Sequence, residues 1–261
     1  MLDKTLATTT RAAYRASIAT TGNDTMNTTH TPGNLRVAVT GGTSGLGLAL
    51  VRLLHERGAQ VAFVARDAQR VSALAGSTPG THGLVGDVSR KNDIYPLALQ
   101  ITAALDGLDV LINNASHLGP VPLALLADTE CEDFEAALAT NLLGPFRLTK
   151  ALLGALSASA RDGRPAMVIN ITSNAAVTPY PGWGAYGASK AALAQLSRIW
   201  NEELQAHGVR VVAVDPGDMD TPLHALAVPD ADPATLKRPA QAAAQIIALS
   251  EHSAAARAAI P

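Results

Sequence analysis

Short apolar runs recur along the chain, separated by polar stretches with helical spacing. Leu35-Arg36-Val37-Ala38-Val39-Thr40, Val61-Ala62-Phe63-Val64-Ala65 and Leu84-Val85-Gly86 read as buried strands. So do Val110-Leu111-Ile112, Met167-Val168-Ile169-Asn170-Ile171 and the run 209–214. Helices are predicted between them, at about 46–57 (stopped by Gly58), 67–75 and 91–105. A longer helical stretch, 132–160, is interrupted by Asn141-Leu142-Leu143-Gly144-Pro145. Proline lacks the amide proton a helix needs, so a kink is expected there. Asn141 falls just before it, where a freed carbonyl could hold an ordered water. From Tyr186 another helix begins, with Leu193, Leu196, Ile199 and Trp200 recurring at three- and four-residue steps as one buried face. Strands alternating with helices throughout predict βαβ units and a single, mostly parallel, doubly wound α/β sheet.

Residues 1–34 break this pattern. They are rich in Thr and Ala and poor in long apolar side chains. They are expected to be a disordered or artefactual tail, with Met26 as an alternative start and the folded domain spanning 35–261. Lys4, Arg11 and Arg15 give the early segment a loose likeness to a transit peptide, the less favoured reading.

Composition narrows the function classes. With 48% apolar and 16% charged residues in 261, the chain can bury a sizeable core and is not a disordered protein. The net charge of −2, without a basic block, gives nucleic acid no electrostatic footprint. No apolar run has the length of a membrane span. Cys131 is the single cysteine, which fits a reduced, cytoplasmic setting. No His or Cys pair has metal-ligand spacing, so no metal is expected. No G-x-S-x-G elbow occurs, which argues against an α/β-hydrolase.

The chemistry concentrates at strand ends. The first strand runs into Gly41-Gly42-Thr43-Ser44-Gly45-Leu46-Gly47 and then a helix, a layout that presents backbone N–H groups and a positive helix end to a phosphate. The second strand ends in Ala65-Arg66-Asp67. A small residue followed by a guanidinium suits a 2′-phosphate and points to NADP, while the adjacent Asp67 leaves NAD open. Asp87 ends the third strand, where it can accept from the adenine amino group or cap the next helix. Asn113-Asn114-Ala115-Ser116 ends the fourth, with Asn113 placed to tie neighbouring strands. Thr172-Ser173 ends the fifth, and Asp215-Pro216-Gly217-Asp218-Met219-Asp220-Thr221 follows the sixth. Tyr186 and Lys190 lie four apart and so share one side of their helix. A phenol titrates near ~10 in isolation, and a neighbouring ammonium is expected to pull it down into the range of a proton donor and acceptor.

Taken together, these residues resemble the short-chain dehydrogenase/reductase family from Leu35 to about Ser250. The likeness rests on Thr40-Gly41-x-x-x-Gly45-x-Gly47, Asp87, Asn113-Asn114-Ala115, Asn141, Ser173, Tyr186-x-x-x-Lys190 and Pro216-Gly217-x-x-x-Thr221, in that order, with thirteen residues from Ser173 to Tyr186. The resemblance implies a Rossmann-type domain of six to seven strands and an NAD(P)-dependent oxidoreductase interconverting a small carbonyl compound and its secondary alcohol. Tyr186 would be the proton donor and acceptor, Lys190 the holder of the nicotinamide ribose, Ser173 the partner of the substrate oxygen, and Asn141 the holder of a water linking Lys190 to solvent. Thr40, Gly41, Thr43, Ser44, Gly45, Leu46, Gly47, Arg66, Asp87, Val88, Asn114, Ala115, Tyr186, Lys190, Pro216, Gly217, Met219 and Thr221 would bind the cofactor. Pro222 to about Pro233 would lid the pocket, with Trp183, His117 and His224 among its lining. The resemblance also implies a homodimer or homotetramer packed through the helices at 135–160 and 190–207. Two departures stand out: the family usually has Gly where this chain has Ser116, and Ala254–Pro261 matches the family's seventh strand poorly. A non-catalytic dinucleotide sensor on the same fold is the rival reading; the retention of Tyr, Lys and Ser together counts against it. An epimerase or dehydratase of the wider superfamily fits less well.

Overall fold

Six parallel strands lie side by side in the order β3-β2-β1-β4-β5-β6. The computed structural model describes residues 35–258, with side chains through Leu249; the expected tail, 1–34, and residues 259–261 lie outside the described residues. The strands are β1 (Arg36–Thr40), β2 (Gln60–Ala65), β3 (His82–Val85), β4 (Val110–Asn113), β5 (Met167–Ile171) and β6 (Arg210–Val214). The helices are α1 (Gly45–Glu56), α2 (Ala68–Ser77), α3 (Lys91–Leu105), α4 (Cys131–Leu138), α5 (Gly144–Arg161), α6 (Gly184–Leu204), α7 (Pro222–Ala227) and α8 (Pro239–Ala258).

The continuous apolar runs are explained by burial on both faces of the sheet. Side chains alternate along β1, so Val37 and Val39 pack with Phe63, Ile112 and Ile169 against α1, α2 and α8. Ala38 faces the other way, with Ala62, Leu111 and Val168, against α3 and α5 through Ile94, Leu97, Ile101, Leu148 and Leu152. The strand order reverses between β1 and β4, and open α/β sheets bind ligands outside the strand ends at such a switch point.

The six strands, all parallel, fall within the expected six to seven. No seventh strand occurs among the described residues, and the segment that matches it poorly continues α8 to Ala258, as its run of alanines favours. The break at Pro145 takes the form of a wider π-type turn, Ala139–Leu143, joining α4 to α5. No helix among the described residues is long and apolar enough to cross a membrane.

Candidate active site

A cleft of about 700 Å³ runs along the carboxyl ends of the strands at the switch point. The turn after β1 forms its floor. Gly41 adopts φ +70°, and a Cβ on Gly47 would stand 2.0 Å from the Gly41 carbonyl oxygen, so only glycine lets α1 start this close to the strand. The α1 N-cap, Ser44, makes no side-chain cap hydrogen bond, leaving first-turn N–H groups to face the cleft. Thr40 braces this turn: its hydroxyl accepts from the Asn114 and Ala115 amides, both at 3.0 Å. The Asn114 side chain returns a bond to the Thr40 carbonyl at 2.9 Å. Asn113 ties the strands as its position suggested, donating to the Asn170 side chain at 2.8 Å.

At the far end, Arg66 is exposed on the wall and makes no side-chain hydrogen bond or ion pair among the described residues. Asp67 is engaged. One carboxylate oxygen accepts from the Gln69 and Arg70 amides, capping α2, and the other lies 3.4 Å from the Arg70 guanidinium. Arg70 also lines the cleft. The sequence alone does not single it out, because an arginine in the first turn of a helix looks solvated until that helix is placed. Asp87 does not cap α3. Its carboxylate accepts from the amide and hydroxyl of Ser89, closing a local turn that leaves the residue on the cleft wall beside Val88.

At the other end, Ser173, Tyr186 and Lys190 converge from the end of β5 and the first turns of α6. Tyr186 is 7% exposed and Lys190 1%. The Lys190 ammonium donates to the Ile171 carbonyl at 2.8 Å. Burial pulls its pKa down to about 7. The Tyr186 phenol is raised, first by burial; hydrogen bonds with the Ser173 and Ser116 hydroxyls oppose this, while Asp215 and Asp218 add to it. This corrects the expectation that a neighbouring ammonium dominates. The cleft that brings the two groups together also dries them, and here desolvation is the larger effect.

Asn141 lies behind the wall, fully buried in the π-type turn. Its side chain accepts from the His117 amide and donates to the His117 carbonyl and the Ser189 hydroxyl, each at 2.8 Å. It clasps the loop after β4 to α6. Ser116, on that loop, donates to the Asn141 side-chain oxygen at 3.2 Å. The loop Pro216–Thr221 is held by Lys237, whose ammonium donates to the Pro216 carbonyl at 2.8 Å. Thr221 caps α7 by accepting from the His224 amide. Thr43, Ser44, Gly45, Leu46, Pro216, Gly217, Met219 and Thr221 all line the cleft, whereas Thr40, Gly47 and Asn141 support it from behind. Trp183, His117 and His224 line it too, and residues from Pro222 to Leu236 cover one side. No group of three His, Cys, Asp or Glu that could hold a metal occurs among the described residues.

A glycine-floored cleft at the switch point of a parallel sheet, ending in a serine, a buried phenol and a buried amine, defines a dinucleotide-dependent oxidoreductase. Residues 36–232 match the family model described as short chain dehydrogenase, and the chain belongs to that family. It is similar to the L-fucose dehydrogenase of Mus musculus, 33% identical over 198 residues, which is 76% of this chain and 70% of that one. Among solved structures it resembles a 3-ketoacyl-(acyl-carrier-protein) reductase from Brucella melitensis complexed with NADH. The TM-score is 0.80 at 23% identity, covering 85% of this chain and 93% of that one, a likeness of fold. It also resembles a short-chain dehydrogenase from Shigella flexneri complexed with NADP, with TM-score 0.73, 25% identity and 85% and 93% covered. The chain is thus an NAD(P)-binding oxidoreductase acting on CH–OH groups, and nothing favours the sensor reading.

Proposed function

We propose that residues 35 onward form one catalytic domain that interconverts a small carbonyl compound and its secondary alcohol with NADP(H). The observation that carries the reading is the convergence of Ser173, Tyr186 and Lys190 across the cleft from the glycine turn. A bound nicotinamide supplies or accepts the hydride. Tyr186 hands its proton to the carbonyl oxygen in reduction and takes it back in oxidation. Ser173 holds that oxygen and stabilises the charge that develops on it. Lys190 holds the nicotinamide ribose and, when charged, favours the phenolate. Asn141 acts through the His117 loop, keeping that wall and α6 in register.

The cradle fits the cofactor on this chain's own features: the space at Gly47 that a Cβ would fill, and the uncapped first turn of α1. The NADP preference rests on Arg66 and Asp67. A guanidinium without a partner among the described residues suits a 2′-phosphate, and a carboxylate committed to its own helix is a poor acceptor for ribose hydroxyls. Assembly as a dimer or tetramer through α5 and α6 is supported by the apolar side chains exposed there, Leu143 just before α5 and Ile199 on α6. A cytoplasmic location accords with the single, exposed, unpaired Cys131.

The test is a panel of ketones and secondary alcohols assayed with both cofactors, on the native chain and on Tyr186→Phe. Turnover by the native chain with NADP(H), and its loss in a variant that still binds cofactor, are the expected results. Turnover retained by Tyr186→Phe would remove the acid/base role.

A further inference from the structure

We infer that the substrate is an uncharged carbonyl compound, or its alcohol, whose flat apolar arm packs on Trp183 and Tyr180 beside the Tyr186 phenol. The inference rests on the carbonyl/alcohol reading of the site and names the class of substrate that site takes.

Apolar side chains wall this end of the cleft: Leu118 on the loop after β4, Tyr180 and Trp183 between β5 and α6, and Leu223, Ala227 and Val228 on or just after α7. Leu118, Trp183, Leu223 and Ala227 pack into one cluster with Tyr186. The Trp183 ring meets the Tyr186 ring edge-on, with centroids 5.6 Å apart. The Tyr180 ring lies 6.3 Å from Trp183 and is tilted to it by 58°. No described ring stacks face to face on Trp183. Tyr180 is 42% exposed, so apolar surface faces a concave site, where a ligand's apolar arm would take it out of water.

An acidic arm has nothing to pair with here. Arg66 and Arg70 line the opposite end of the cleft. At the substrate end the lining ammonium is Lys190, deeply buried and already donating to the Ile171 carbonyl. Asp215 and Asp218 are exposed on the same wall, so a carboxylate or phosphate would meet like charge. A polyol also finds few partners. The Asn174 side chain accepts from the Ser173 hydroxyl at 3.3 Å and donates to the Tyr180 hydroxyl at 3.2 Å, so its amide is engaged at both ends. The His117 Nδ1 accepts from the Gly119 amide at 3.0 Å, and the His224 Nδ1 is buried. A ligand with several hydroxyls would give up its water for a wall that replaces little of it.

The experiment is calorimetric titration of the full chain with NADPH bound. The probes are 1-phenylethanol, mandelate, in which a carboxylate replaces the methyl group, and xylitol, a neutral polyol. Each already carries its oxygen as an alcohol, so beside NADPH no hydride moves and binding alone is read. 1-Phenylethanol is expected to bind more tightly than either of the others by roughly tenfold or more. Trp183→Ala should weaken its binding by roughly tenfold and Tyr180→Ala by roughly threefold, with NADPH affinity kept within about twofold. Mandelate or xylitol binding as tightly as 1-phenylethanol overturns the inference, and so does equal 1-phenylethanol affinity in the native chain and Trp183→Ala. Should Trp183→Ala fold poorly, which a thermal melt reveals, Tyr180→Ala decides in its place, because that ring is exposed. The titration needs no turnover, so failure of the carbonyl panel and failure of this inference are read separately.

Discussion

The Lys190 ammonium lies 5.5 Å from the centroid of the Tyr186 ring, yet its hydrogen bond goes to the Ile171 backbone. An amine 1% exposed, with one carbonyl for a partner, is held in the site at a cost to the fold. Its pKa in the folded chain, about 7, lies below the 10.5 of the unfolded chain. Between those values the unfolded state binds more protons, so this group makes stability rise with pH across that window. Lys190→Met should abolish turnover and raise the melting temperature of the cofactor-free protein at pH 6. Its advantage should shrink by ~1.4 kcal/mol per pH unit from about pH 7 toward 10.5, less a constant ~1 kcal/mol for the unpaired Ile171 carbonyl. Thermal melts at pH 6, 8 and 10 check this; a native-to-variant difference that does not change with pH would contradict it.

Cofactor choice should reside in the guanidinium pair at the outer end of the cleft. Arg66→Ala is expected to weaken NADP+ binding by roughly 10- to 100-fold and leave NAD+ binding within about twofold, since a charge-assisted phosphate contact is lost and no ribose contact is. Arg70→Ala should do the same more mildly, because Arg70 already shares its charge with Asp67. Calorimetric titration with the two dinucleotides measures both. Parallel losses for NAD+ and NADP+ would mean that Arg66 shapes the wall and does not read the 2′ position.

How much of this was legible before the structure depends on the reach of each interaction. β-branched runs such as Met167–Ile171 and the glycines at 41, 45 and 47 carry local signals, because both strand burial and a tight turn act on neighbours in sequence. The end-to-end match of α3 to 91–105 has the same origin. Arg70, the Ser116–Asn141 bond and the Asn141–His117 clasp were not legible. Each joins residues whose relation exists only once α2 or the π-type turn is placed. The direction of the Tyr186 shift is not legible in the sequence for a related reason: spacing shows the ammonium, whereas burial is contributed by several elements at once. The place of a seventh strand lacks β-branched residues, and its alanine run continues a helix.

The cradle predicts a sharp intolerance. In Gly47→Ala the new methyl would stand 2.0 Å from the Gly41 oxygen and 2.6 Å from the Asn114 side chain, and the first of these is backbone. Relief requires α1 to move off β1, which dismantles the turn. Loss of measurable dinucleotide binding and a destabilisation of about 2–4 kcal/mol are expected. Denaturant unfolding and cofactor titration test this; wild-type affinity in the variant would show that the turn adapts and that its close approach is not required.

The opposite end of the sheet makes a contrasting prediction, because stability and chemistry separate there. Asp109, fully buried just before β4, accepts from the Arg36 backbone amide at 2.9 Å, from the Arg36 guanidinium at 2.8 Å and from Arg164 at 2.7 Å, joining β1, β4 and the turn after α5. Burial alone would raise its pKa, but the hydrogen bonds from Arg164 and Arg36 outweigh burial and hold it below 3.8. A depressed carboxylate contributes stability that is present above its unfolded pKa and lost as pH falls through the folded one. Asp109→Asn leaves two guanidinium groups facing a neutral amide, so a loss of about 3 kcal/mol is expected at pH 7, vanishing as pH falls below the native carboxylate's own pKa. Because this cluster lies at the amino end of β1 and β4 and the cleft at the carboxyl end, the folded fraction of the variant should keep native cofactor affinity and kcat. Urea unfolding at pH 7 and at successively lower pH, paired with activity per folded molecule, separates the two effects; a fall in kcat at full folding would show that strain at the base of β4 reaches the Asn114–Ser116 loop.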